Sequence, residues 1–133
     1  MLLRKVILML LLGFTCSMTF SGEAVSGRYI YGGGVGAVEC PKFVEIMQTA
    51  KTHKLDSLGY VYETQGFLMY IAGFQTAYNL QTPNTCDIFD GLSDNQLLAW
   101  AETYCQTHPL KKFNSAVVAL AQEVYPNRSQ KCK

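Results

Sequence analysis

Apolar residues recur every three or four positions along most of the chain beyond residue 40, which is the spacing of one face of an α-helix. The first helix is predicted to begin at Pro41, because proline lacks the N–H group that the first helical turn leaves unpaired. A second and longer helix is predicted to follow a cap at Asp56 or Ser57 and to end near Leu80. The apolar stripe of the first helix consists of Phe43, Met47 and Ala50.

Two further helices are predicted after the turn at Pro83. The third opens with Ser93 and Gln96, whose spacing matches a capping box, a reciprocal pair of side chain–backbone hydrogen bonds. Pro109 separates it from the fourth helix, which Pro126 ends. The predicted apolar stripes are Leu97, Ala101, Tyr104 and His108 in the third helix, with Cys105 at its edge, and Leu110, Phe113, Val117, Leu120 and Val124 in the fourth. No segment alternates apolar and polar residues with a period of two, so the predicted fold class is all-α, a small bundle of about four helices.

The second predicted helix carries Gly59, Gly66 and Gly73 at intervals of seven residues, which places them on one face. Each glycine inside a helix costs roughly 1 kcal/mol relative to alanine, so their presence predicts that another backbone approaches this face closely. We expect this helix to be central, with its glycine face against a neighbour in the same chain, a second copy or an effector. The candidate packing or interaction face consists of Gly59, Gly66, Phe67, Tyr70, Ile71, Gly73, Phe74, Ala77 and Tyr78, and the polar residues expected opposite are Thr64, Gln65, Gln75, Thr76 and Asn79.

Residues 1–24 are predicted to form a cleaved secretory signal peptide. Arg4 and Lys5 precede an uninterrupted apolar run over residues 6–13, and small residues follow it. That run is shorter than the roughly 20 residues that a membrane-spanning helix needs, so we expect no membrane contact after cleavage. A retained anchor and lipid attachment at Cys16 are the alternatives, but the residues before Cys16 fit a lipobox poorly.

Removal of the signal removes Cys16 and leaves an even number of cysteines, which in an exported domain predicts two disulfides. These cysteines are Cys40, Cys86, Cys105 and Cys132. Their number alone leaves three connectivities open. No C-x-x-C pair indicates a thioredoxin-like redox site, and His53 and His108 are isolated, so no metal site is predicted.

Composition narrows the classes of function. A chain of 133 residues supports one domain, and 49% hydrophobic with 16% charged residues argues against disorder. A formal net charge of +1 argues against a nucleic-acid partner, and Lys111-Lys112 is too short a basic run to supply one. Residues 25–39, which include the triplet Gly32–Gly34, are predicted to form a flexible arm.

No arrangement of residues in the sequence indicates catalysis. The chain contains neither G-x-S-x-G nor H-E-x-x-H, and its glutamates are scattered. Asp87, Asp90 and Asp94 crowd one loop, but their spacing misses the calcium-binding pattern, so a solvated loop is the better interpretation. We therefore predict no enzyme, no cofactor and no metal, and expect the partners to be other proteins.

Two short motifs resemble the HdeA/HdeB family, the small periplasmic acid-stress chaperones of Gram-negative bacteria. They are the segments 39–44 (ECPKFV) and 104–109 (YCQTHP), the latter followed by Phe113, with an aromatic-rich helix between them. The resemblance covers roughly residues 40–120. It implies a disulfide between Cys40 and Cys105, which leaves Cys86 to pair with Cys132. It also implies a periplasmic helical domain over residues 40–133 that binds unfolding client proteins as an acid-stress holdase.

A second resemblance is to periplasmic immunity proteins of the Rap/Tai type, which neutralise type VI secretion effectors. It is carried by the helix segment 66–73 (GFLMYIAG), the second cysteine pair and the late His108-Pro109 turn. This resemblance implies that the partner is one specific effector.

The acid-chaperone mechanism has a consequence for charge. At about pH 2 the carboxylates are neutral and the chain without its signal would carry about +11, by counting with ordinary pKa values. Self-repulsion of that size could loosen a homodimer and expose the aromatic face of the second helix to clients.

Overall fold

Four α-helices follow one another along residues 33–132, the part of the chain that the computed structural model describes. We label them in chain order: α1 is Cys40–Ala50, α2 is Leu58–Gln81, α3 is Asp94–Thr107 and α4 is Phe113–Val124, and short 3-10 turns lie at Gly34–Ala37 and Tyr125–Asn127. These residues contain no β-strand, so the predicted all-α bundle of about four helices is confirmed. The predicted signal peptide, Cys16 and residues 25–32 of the predicted arm lie outside the described residues.

Helices α1, α2 and α3 begin where local sequence signals predict. Ser57 caps α2, since its side-chain oxygen accepts a hydrogen bond from the Tyr60 N–H. The capping box of α3 is complete: Ser93 Oγ accepts from the Gln96 N–H, and Gln96 Oε1 accepts from the Ser93 N–H at 2.8 Å. Pro41 lies in the first turn of α1. These contacts satisfy N–H groups that the first helical turns would otherwise leave unpaired.

The core lies where the four helices meet. Phe43 of α1, Phe67 of α2 and Phe113 of α4 contact one another with ring centroids 4.6–4.8 Å apart. Tilted and edge-to-face pairs of this kind contribute about 0.5–1.5 kcal/mol each beyond the burial of their surface. The three phenylalanines therefore hold three helices to a common centre, which fixes the face that each helix turns inward.

Two disulfides close the bundle, Cys40–Cys105 and Cys86–Cys132. The first joins the start of α1 to the last turns of α3, and the second joins the α2–α3 loop to the C-terminal segment. This is the pairing implied by the HdeA/HdeB resemblance. Loops of 65 and 46 residues are closed, which stabilises the fold by about 4 kcal/mol each in the chain-entropy model. Structural disulfides are compatible with an oxidising compartment. None of the helices between residues 33 and 132 is long and apolar enough to cross a membrane.

The buried face of α3 differs from the predicted stripe. Tyr104 is only half-buried, and His108 ends the helix in an exposed position. The side chains that α3 buries are Leu97, Leu98, Ala101, Glu102 and Cys105. The helix is rotated in this direction because Cys105 must face inward to reach Cys40. A bond between distant residues, rather than the local apolar spacing, sets this orientation.

Leu110 was expected in the apolar stripe of the fourth helix, and this prediction is wrong. Leu110 is 97% exposed and precedes α4, which begins at Phe113. The backbone is held in an extended turn here, since Lys111 O accepts from the Cys40 N–H at 2.9 Å and Val38 O accepts from the Phe113 N–H at 2.8 Å. Because of these hydrogen bonds, α4 begins only at Phe113.

The last residues of the predicted flexible arm are ordered against the bundle. Gly34–Ala37 forms a 3-10 turn, and Val35 and Val38 pack on the core. Gly36 is buried under the Tyr70 ring. Residues 34–38 of the predicted arm therefore belong to the folded domain, because their apolar side chains pack against α2 and α4.

Candidate functional site

Helix α2 is apolar on nearly every side. Among its 24 residues Glu63 is the one charged residue, and the other polar side chains are neutral. A helix that is hydrophobic all round is normally covered all round, either by the rest of a protein or by a partner. The exposure of each side of α2 therefore decides whether the protein has an uncovered apolar surface.

One side of α2 faces the core. Tyr60, Thr64, Phe67 and Ile71 are buried along it, and Phe74 and Tyr78 continue the same row half-buried. Their spacing of three and four residues is that of one helical face. This inner face holds α2 to the bundle.

The opposite side of α2 is open and carries no charge. We call it the outer face and define it by six exposed residues: Leu58, Tyr62, Met69, Gly73, Ala77 and Leu80. The four large side chains are 91%, 76%, 73% and 78% exposed, for Leu58, Tyr62, Met69 and Leu80 respectively. The neutral polar side chains of Gln65 and Thr76 are exposed on the same side of the helix, so the outer face is uncharged and largely apolar. Large apolar side chains that stay exposed together often mark an interaction site.

The nine residues of the predicted interaction face do not form one surface. Phe67 and Ile71 belong to the core, while Gly73 and Ala77 belong to the outer face. The other five are half-buried, namely Gly59, Gly66, Tyr70, Phe74 and Tyr78. The glycine stripe lies at the border between core and solvent, so a face drawn around the glycines includes residues from both sides.

The sequence predicted that another backbone approaches the glycines, but at two of the three positions the close neighbour is a side chain. A Cβ added at Gly66 would lie 3.3 Å from Val35, and one added at Gly59 would meet the ring of His53, with Cγ at 2.7 Å. A Cβ at Gly73 would meet none of the described residues within 4 Å. The neighbour at Gly66 is thus the short turn before α1, and Gly73 remains open.

The open position at Gly73 forms part of a shallow apolar hollow on the surface of α2. Its volume is about 300 Å³, and it is lined by Met69, Tyr70, Gly73 and Phe74. An apolar side chain of a bound segment could enter this hollow because glycine leaves the space that a larger residue would fill.

Of the polar residues expected opposite the glycines, Thr64 is buried, and Gln75 and Asn79 are half-buried. Thr64 is buried and its hydroxyl donates to the Tyr60 carbonyl at 2.9 Å. Gln75 Nε2 donates to Asp87 Oδ1 at 2.6 Å, and Asn79 Oδ1 accepts from the Ile88 N–H at 3.0 Å. The last two amides hold the loop after α2, which local periodicity could not reveal. Gln65 and Thr76 are exposed.

A polar cluster at the start of α2 was not predicted from the sequence. Glu102 of α3 is 4% exposed and forms an ion pair with Lys51 at 2.5 Å. Tyr60 Oη donates to Asn95 Oδ1 at 2.9 Å. Burial raises the pKa of Tyr60 above its ordinary value, and the negative charges of Asp56 and Glu102 raise it further. This cluster joins the α1–α2 connection to α3, and no local pattern could have located it.

The remaining candidate groups do not converge on a reactive centre. Within residues 33–132, no three His, Cys, Asp or Glu side chains come together in a way that could hold a metal ion. His108 stacks on Tyr104 with ring centroids 4.1 Å apart, and His53 lies beside Gly59. Asp87, one of the three loop aspartates, is engaged as an acceptor by Gln75 and by the Phe89 N–H.

A second exposed feature is the loop between α3 and α4, residues 108–112, which we call the Leu110 loop. The Lys111 N–H donates to His108 O at 3.0 Å, and Cys40 and Phe113 hold its far side through the backbone bonds already described. Within residues 33–132 neither Lys111 nor Lys112 lies in an ion pair. The loop therefore presents an exposed leucine beside two lysines from a fixed backbone.

Comparison with known proteins identifies no relative. No family model matches the chain, and no curated protein and no solved structure matches it significantly.

Proposed function

We propose that this protein is a protein-binding domain of the periplasm that holds unfolding client proteins in acid. The observation that supports the proposal is the outer face of α2, an exposed apolar surface without a charge. Unfolding proteins expose apolar segments, and such segments associate with an uncharged apolar surface through the hydrophobic effect. The resemblance to the HdeA/HdeB family supports the same function and the periplasmic location.

Acid would change the occupancy of the outer face. At neutral pH the net charge is near zero, so a second copy could cover this surface without strong repulsion. In acid every carboxylate becomes neutral and the two copies repel each other, which leaves the outer face to clients. The two disulfides keep each bundle closed throughout this change.

The test is suppression of client aggregation at about pH 2.5, a pH at which carboxylates are protonated. Light scattering of an acid-labile test protein is measured with and without an equimolar amount of this protein. We expect the wild type to suppress scattering and the variant Met69→Lys/Leu80→Lys to lose most of that effect. The matched control is Thr103→Lys/Gln122→Lys, which adds two charges at exposed positions on α3 and α4. No suppression by the wild type, or equal activity of both double variants, would reject the holdase function.

A second candidate function is inhibition of one specific toxin, as in Rap/Tai-type immunity proteins. The Leu110 loop favours it, because a backbone that is already fixed loses little conformational entropy on binding. The exposed leucine would enter an apolar pocket of the toxin, and Lys111 and Lys112 would face carboxylates at the pocket rim.

The two candidate functions can be distinguished because each predicts that a different substitution abolishes activity. Cells that express the toxin encoded next to this protein's gene are tested for survival with wild type, with Leu110→Asp and with the outer-face variant. Protection that is lost in Leu110→Asp and kept in Met69→Lys/Leu80→Lys supports the inhibitor. Absence of a neighbouring toxin gene, or failure of the wild type to protect, rejects it.

A further inference from the structure

The two disulfides differ sharply in the burial of their cysteines. Cys40 is 0% and Cys105 is 1% exposed, so the first disulfide lies inside the core. Cys86 is half-buried and Cys132 is exposed. Thiol–disulfide exchange requires a thiolate to reach one of the two sulfur atoms, so its rate depends on access as well as on chemistry.

Apart from the outer disulfide, hydrogen bonds connect the C-terminal segment to the loop between α2 and α3. We call residues 125–132 the C-terminal strap. Ser129 forms an antiparallel bridge with Asp87: its N–H donates to Asp87 O at 2.9 Å, and its carbonyl accepts from the N–H groups of Cys86 and Asp87 at 2.7 and 3.2 Å. Arg128 Nε donates to Thr85 Oγ1 at 3.0 Å. Each of these hydrogen bonds contributes only modestly to stability, because water replaces it readily at a surface. The disulfide is the covalent attachment of the strap, and water cannot replace it.

The loop beneath the strap has its own anchors. The side chains of Gln75 and Asn79 hold Asp87 and the Ile88 N–H, at 2.6 and 3.0 Å. Ile88 and Phe89 are 1% and 2% exposed and belong to the core. Loss of the strap would leave this loop and the four helices in place.

We propose that Cys86–Cys132 is a redox-sensitive clasp, which a dithiol reductant opens while Cys40–Cys105 and the helical bundle stay intact. A thiolate of the reductant attacks Cys132 Sγ, the S–S bond breaks, and Cys86 leaves as a thiolate. The second thiol of the reductant then attacks the mixed disulfide and releases Cys132 as a thiolate. The reductant becomes a disulfide, and its two electrons and two protons pass to Cys86 and Cys132.

The test is partial reduction of the full chain with dithiothreitol as the probe. Samples are quenched with N-ethylmaleimide at successive times, and the alkylated cysteines are assigned by peptide mapping. The mapping also distinguishes Cys16 from the four cysteines of the disulfides. We expect Cys86 and Cys132 to be modified at least about ten times faster than Cys40 and Cys105, because the buried pair reacts only after local opening. Circular dichroism should show unchanged helix content in the partly reduced protein, and trypsin should cleave after Arg128 faster than in the oxidised protein.

The control variant is Cys86→Ser/Cys132→Ser, which lacks the clasp from the start. Its Cys40–Cys105 bond should be reduced as slowly as in the wild type. Reduction of both disulfides at one rate, loss of helix when the clasp opens, or rapid reduction of Cys40–Cys105 in the control would each overturn the proposal.

Discussion

The carboxylate of Glu102 is held inside the bundle by a lysine that remains more than half exposed. The Glu102 side chain is 6% exposed and that of Lys51 is 57% exposed. A buried carboxylate without a partner costs about 1–3 kcal/mol or more, whereas an exposed ion pair contributes about 0–1 kcal/mol. The Lys51–Glu102 pair therefore stabilises the fold mainly because it prevents an unpaired buried charge between α1 and α3.

Replacement Lys51→Met should lower the free energy of unfolding by about 1–3 kcal/mol at neutral pH, because Glu102 loses its cation while it stays buried. Urea denaturation measures the change. The control is Lys42→Met, which breaks the exposed Lys42–Glu45 pair at 2.8 Å and should cost at most about 1 kcal/mol. Equal effects of the two substitutions would show that burial of Glu102 has no energetic consequence.

Tyr60 gives the fold a dependence on alkaline pH. Its pKa is raised in the folded protein, first by burial and then by Asp56 and Glu102. Above the ordinary tyrosine pKa of about 10, the unfolded chain loses this proton more readily than the folded one. Stability that is fully present below that pH is therefore lost as pH rises from about 10 toward the folded pKa. Tyr60→Phe should flatten this part of the stability curve, measured by urea denaturation between about pH 9 and 11, whereas Tyr62→Phe, at an exposed position, should leave it unchanged.

At the scale of elements, glycine has two different roles in this bundle. Gly36 lets the turn before α1 pass beneath Tyr70, since an added Cβ would lie 2.6 Å from the ring atom Cζ. Among residues 33–132, Gly73 in α2 has no such neighbour. The first glycine therefore permits packing, whereas the second weakens its helix without a steric reason in this part of the chain.

Substitution of the two glycines by alanine should have opposite effects. Gly36→Ala should destabilise the fold by about 1–3 kcal/mol, because the Tyr70 ring must move. Gly73→Ala should stabilise it by up to about 1 kcal/mol, because alanine is the better helix former. Thermal or urea unfolding of both variants tests the difference, with Gly33→Ala, which meets nothing within 4 Å, as the neutral control. A destabilising Gly73→Ala would indicate a close neighbour at that position.

Element boundaries were predictable because their causes are local. Ser57 and the Ser93–Gln96 box act on N–H groups within three residues, so the sequence contains the whole signal. The rotation of α3 toward Cys105 and the exposure of Leu110 depend on contacts with Cys40, which is distant along the chain. The outer face of α2 was not predicted, for a related reason. The glycines lie between the buried and the exposed side of α2, and the packing of α1 and α4 determines which side is buried.

At the scale of the whole molecule, the outer face is an apolar surface that folding does not require. The side chains of Tyr62 and Met69 are 76% and 73% exposed, so they contribute little to the core. The stability of the bundle and the proposed binding of clients would therefore depend on opposite sides of the same helix. Such a separation is what a helix needs if it holds the bundle together and also binds a partner.

A charge on the outer face should change binding without changing stability. The variant Met69→Lys should shift the free energy of unfolding by no more than about 0.5 kcal/mol, as expected for a surface position. The fluorescence of the apolar dye ANS, measured with the folded protein, should fall relative to wild type and relative to Gln122→Lys. A large loss of stability would mean that Met69 supports the fold.

The spans enclosed by the two disulfides overlap between Cys86 and Cys105 and together run without a gap from Cys40 to Cys132. Hydrolysis of any single peptide bond inside that range leaves both fragments covalently attached through at least one disulfide. A nicked molecule would migrate as one species on a non-reducing gel and separate into two only after reduction. The overlap thus protects the molecule against proteases, since a first cut cannot divide it.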